Sequence, residues 1–61
     1  MEQVLLRPDE AAEMLGVSRA TAYELMSSGE LRSVKIGNLR RIPRRSLDEF
    51  VERKIAEQAA N

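Results

Sequence analysis

The chain is 61 residues long, formally neutral with ten basic and ten acidic side chains, and contains neither cysteine nor histidine. A chain of this length buries only ~60% of the surface it exposes when unfolded, which allows one small core and no catalytic cleft with a second layer behind it. Disulfides and the common zinc ligands are excluded by composition, and the apolar runs fall far short of the ~20 residues needed to cross a bilayer.

The start, Met-Glu-Gln-Val-Leu-Leu, is not that of a signal peptide, so a cytoplasmic protein without membrane contact is expected. No linker, repeat or low-complexity tract divides the chain. One domain over 1–61 is predicted, ordered over about 4–56, with a frayed tail from Ala56 to Asn61.

Val4 to Leu6 is a short apolar run suited to a sheet edge. Pro8 then suits the first position of a helix, and Asp9 and Glu10 favour its positive end. This helix is predicted over Pro8 to about Leu15, with Ala11, Ala12, Met14 and Leu15 inward and Gly16 as its C-terminal cap. Ser18 caps the next helix, about Arg19 to Ser28. Ala22, Leu25 and Met26 there face the core; Arg19, Ala20, Tyr23, Glu24 and Ser27 face outward, Thr21 lies at the margin, and Gly29 ends the helix. Two short helices joined by so tight a glycine-containing turn predict either a helix-turn-helix or a plain αα-hairpin.

Ser33-Val34-Lys35-Ile36 and Leu39 to Ile42 flank Gly37-Asn38 and read as a two-stranded hairpin. Val34, Ile36 and Ile42 are expected inward, with Lys35 and Arg41 outward near the tip. Pro43 stops the second strand, and Ser46 with Glu49 offers a capping box for a third helix whose stripe of Leu47, Phe50, Val51 and Ile55 would close the core. The expected fold is mostly α with a small β-hairpin, a winged helix-turn-helix.

Charge is strongly segregated. Residues 32–45 hold six basic side chains, Arg32, Lys35, Arg40, Arg41, Arg44 and Arg45, and no acidic one; residues 1–31 hold two basic and six acidic, and residues 46–61 two basic and four acidic. A cationic hairpin behind a helix-turn-helix suits the phosphates of a duplex, while a net charge of zero gives little long-range attraction. An alternative role for these cations is protection of an edge strand from aggregation.

The run from Asp9 to Tyr23, with Leu15-Gly16-Val17-Ser18 at its turn, then Ser28-Gly29-Glu30-Leu31, Val34-Lys35-Ile36-Gly37 and Arg40-Arg41-Ile42-Pro43, resembles the excisionase family of winged helix-turn-helix proteins, related to the MerR group. The resemblance covers roughly residues 5 to 55. It implies a second helix in the major groove, a wing on backbone or minor groove, and a recombination directionality factor that bends attachment-site DNA and helps an element's integrase excise. It equally accommodates a small transcription regulator of a phage or mobile element. Relatives tend to carry basic residues at the positions of Ala20, Glu24 and Ser27, so the recognition face here is nearly neutral and modest base specificity is expected.

The expected DNA-binding residues are Ser18, Arg19, Ala20, Thr21, Tyr23 and Glu24 on or capping the second helix, with Arg32, Lys35, Asn38, Arg40, Arg41 and Arg44 on and beside the wing. Arg19 ranks first, at the helix N-terminus. Glu24 either accepts from a cytosine amino group, orients Arg19 or is simply solvated, and Tyr23 either donates to phosphate or packs on Met26. Arg7, standing where relatives have Ser or Thr, is a further candidate for a phosphate. The expected partners are double-stranded DNA, an integrase and neighbouring copies of the same chain; no cofactor or enzymatic role is expected. A protein-interaction module without nucleic acid is the alternative from another class, and the one-signed wing argues against it.

Overall fold

The computed structural model describes residues 4–59. The elements in chain order are β1 (Leu5–Leu6), α1 (Pro8–Leu15), α2 (Arg19–Ser28), β2 (Val34–Ile36), β3 (Leu39–Pro43) and α3 (Arg44–Ala59). They form a winged helix-turn-helix with a three-stranded antiparallel sheet ordered β1-β3-β2. Both helices of the turn keep their predicted bounds. Expectations for residues 1–3 and 60–61 lie outside the described residues; the tail expected to fray from Ala56 is helical as far as Ala59.

The local chemistry explains the joints. Gly16 takes a left-handed conformation, φ 73°, and its N–H and that of Val17 return to the Glu13 and Ala12 carbonyls, which closes α1 within one residue. Ser18 Oγ then accepts the Thr21 N–H at 3.1 Å and opens α2. At the start of α1 the Arg7 N–H donates to Glu10 Oε1 at 2.9 Å. The Arg7 guanidinium, which has no acceptor to offer, lies 3.7 Å from Glu10 and 3.9 Å from Asp9.

Leu6, Ala11, Met26, Leu31, Ile42, Leu47 and Phe50 form the core, with Leu15 and Leu25 packed against it. Several expected core positions are elsewhere. Met14 is 49% exposed: Pro8, Ala11, Ala12 and Leu15 already make one stripe at helical spacing, and Met14 falls ~100° around the axis from Leu15. Val51 and Ile55 are also exposed, because Leu47 and Phe50 suffice to close so small a core. Beyond them α3 is held by polar links, with Lys54 Nζ 2.7 Å from Glu30 Oε1 and 3.3 Å from Glu57 Oε1, and Arg53 donating to the Glu30 carbonyl.

The hairpin corrects a parity error. Its two-residue turn pairs Ile36 with Leu39, Lys35 with Arg40 and Val34 with Arg41, while Leu6 pairs with Ile42. Opposed residues share a face and successive ones alternate, so Ile42 is buried on the face bearing Leu6, Arg40 and Lys35. Val34, Ile36 and Leu39 lie on the opposite face and are exposed. Arg41 does point away from the core, half-buried.

Helix α3 starts at Arg44, two residues before the expected cap. The Arg44 N–H donates to the Val4 carbonyl at 2.9 Å, so the residue just before β1 satisfies a donor that a capping side chain would otherwise take. Ser46 is consequently inside the helix and buried, with no capping box between it and Glu49.

Candidate nucleic-acid interface

The outward face of α2 carries Arg19, Ala20, Tyr23, Glu24 and Ser27, all exposed, with Thr21 half-buried. Ser18 is occupied by capping: besides accepting from Thr21, its hydroxyl donates to Thr21 Oγ1 at 2.9 Å. The Arg19 guanidinium stands 6.0 Å from the centroid of the Tyr23 ring one turn on, at the outer reach of a cation–π contact. No ion pair joins Arg19 to Glu24 among the described residues.

Between α2 and the wing lies a cleft of about 310 Å³ lined by Tyr23, Met26 and Ser27 on one side and Asn38, Leu39, Arg40 and Arg41 on the other. Helix and hairpin therefore present their polar groups to one surface. Arg40 Nη1 donates to Ser33 Oγ at 3.1 Å, and Arg41 Nη1 to the Arg40 carbonyl at 2.8 Å. Both guanidinium groups are oriented by these bonds while keeping further N–H donors free for an anion.

Arg40 also lines a second cleft of about 650 Å³, where Arg32, Arg45 and Glu49 meet beside Ser33 and Ser46. Arg45 is a member of the basic run that site reasoning from the sequence did not select. The structure does not bring Arg44 into either cleft: it lies 3.8 Å from Asp48 and beside Glu10 and Glu13. The early start of α3 explains both placements, since adjacent helical residues diverge by ~100°. Lys35 is exposed on β2, opposite Arg40. Arg7 spends its charge on Asp9 and Glu10. Ser33 was also missed, because its role depends on the register that sets it beside Arg40.

Comparison with known proteins agrees with this geometry. A family model described as a helix-turn-helix domain matches residues 5–55. A protein described as a probable excisionase, from Saccharopolyspora erythraea, is 52% identical over 58 residues, covering 95% of this chain and 59% of its own. An uncharacterised protein of Mycobacterium tuberculosis (strain ATCC 25618 / H37Rv) is 44% identical over 41 residues, covering 67% of this chain and 36% of its own, and one of Mycobacterium bovis matches equally. The chain thus spans little more than half the length of the first of these relatives and about a third of the others. No solved structure matches it.

Proposed function

Because the chain belongs to the excisionase-type helix-turn-helix domain family, we propose that it is a DNA-binding excisionase that bends attachment-site DNA to favour excision by an integrase. Helix α2 enters the major groove, Arg19 leading, and the wing holds the flanking backbone. The observation that carries this reading is the shared cleft in which Tyr23 and Ser27 of α2 face Asn38, Arg40 and Arg41 of the wing. A plain αα-hairpin has no need of a cationic ribbon at that place.

The mechanism follows from what the recognition face lacks. With Arg19 the one cation among the outward residues of α2, bidentate reading of several guanines is not available, and each such contact is worth ~1–3 kcal/mol. Selectivity then rests on shape. A wing arginine in a narrowed minor groove favours A·T-rich, deformable sites, and the bend brings distant sites of a recombination complex together.

Modest single-site affinity is raised when copies occupy adjacent sites, since each neighbour increases the effective concentration of the next. Acidic α1, or the carboxylates Asp48, Glu49 and Glu52 of α3, faces the basic wing of the next copy in this arrangement. Exposed Ile36 and Leu39 at the wing tip add apolar surface to such a contact.

A footprinting titration on DNA spanning the element's attachment site and this protein's own promoter, at two salt concentrations, tests the reading. Protection spreading through direct repeats at the attachment arm and weakening with salt is expected. Protection confined to the promoter would replace the excisionase with a small transcription regulator using the same surfaces.

A further inference from the structure

We propose that the cleft between the α2–β2 turn and the first turn of α3 is a second seat for a backbone phosphate, with Arg45 as its direct ligand. Arg32 comes from the turn, Arg40 from β3 and Arg45 from α3, so three separate elements converge on one cleft of about 650 Å³. Neither the Arg32 nor the Arg45 side chain makes a hydrogen bond or ion pair among the described residues. Both guanidinium groups line the same concavity, and an anion seated there would meet N–H donors from each.

The position of Arg40 ties this cleft to the proposed DNA surface. Arg40 and Met26 line both clefts, so a continuous track of donors runs from Tyr23 and Ser27 across the base of the wing to Arg45. A strand whose phosphate meets Arg40 is led to Arg45 next. Glu49 lies in the same cleft, unpaired with any of the three arginines among the described residues. Its carboxylate weakens the seat, which keeps single-copy binding modest.

The inference rests on the DNA-binding reading, and the test separates the two. Affinity of the full chain for a fluorescent A·T-rich duplex is measured across a salt series for wild type, R45A, E49Q and the double variant R40A/R41A. Single phosphates of the duplex are replaced in turn by neutral methylphosphonates. Expected are a ~5–10-fold loss for R45A with the salt slope shallower by ~0.9, and a ~2–5-fold gain for E49Q. At least one methylphosphonate position should weaken wild type but not R45A, a readout that a merely structural arginine would not move. If R40A/R41A loses binding while R45A matches wild type in affinity, slope and methylphosphonate profile, the second seat is overturned and the DNA reading stands. If R40A/R41A also binds as wild type does, the wing surface is not what binds, and if wild type itself shows no salt-dependent affinity for the duplex, the DNA reading fails.

Discussion

At Ser18 folding meets the proposed recognition surface, because its hydroxyl caps α2 at the end where Arg19 and Thr21 stand. Replacing it by alanine removes an acceptor for the Thr21 N–H and is expected to cost ~1 kcal/mol of stability, read as a lower urea midpoint with unchanged slope. Aspartate at the same position caps equally well but sets a negative charge where a phosphate is expected. Ser18→Asp should therefore keep the urea midpoint and lose DNA affinity, which separates the two roles. Leu31 illustrates the opposite case. It is fully buried, yet it stands alone after Gly29 with no periodic partner, so its place in the core follows from the return of its N–H to the Leu25 carbonyl at 3.0 Å.

At the scale of elements, the legible parts were those governed by neighbours in sequence. Pro8, Gly16, Ser18 and Gly29 act within one turn of themselves, and the bounds of α1 and α2 follow from them. The start of α3 was not legible, since the group that satisfies its first N–H is Val4, far back in the chain. The facing of the hairpin was available in principle: a two-residue turn puts Val34 and Ile42 on opposite faces, and the pull of placing every β-branched residue inward obscured it. For the candidate site, the exposure of the outward residues of α2 and of most of the wing cations was readable, whereas which of Arg44 and Arg45 lines the cleft beside the wing hung on where α3 begins.

The latch on α3 has a defined pH window. A hydrogen bond from the Lys54 ammonium holds the Glu30 carboxyl below its ordinary 4.5, and Glu30, then Glu57, holds Lys54 above its ordinary 10.5. The stabilisation is complete between those limits, is lost as pH falls through the depressed Glu30 value, and is lost again as pH rises through the elevated Lys54 value. Both groups are well solvated, so the effect is small. The difference in urea midpoint between wild type and Glu30→Gln should be constant over about pH 6 to 8 and close in acid; a difference that persists below the carboxylate range would refute the latch.

For the whole molecule, neutrality conceals a segregation along the chain, with six cations and no acid in residues 32–45 and an excess of acids in the segments before and after. If about four to five phosphates are neutralised, log affinity should fall against log salt with a slope of roughly −4. A flat salt response would contradict phosphate binding altogether. The bending proposed for the complex would draw on the seating of the wing, because β3 pairs on one side with β2 and on the other with β1, with Leu5 opposite Pro43 and Leu6 opposite Ile42. The wing is therefore seated on the core instead of hanging from it. In the proposed complex such a molecule would work as a caliper: a wing seated at its base on the core resists spreading, so a mismatch with groove width would be taken up by the duplex. On that proposal, sites would be ranked by how cheaply they yield, with supple pyrimidine–purine steps preferred, and the chain would measure the compliance of DNA as much as its letters.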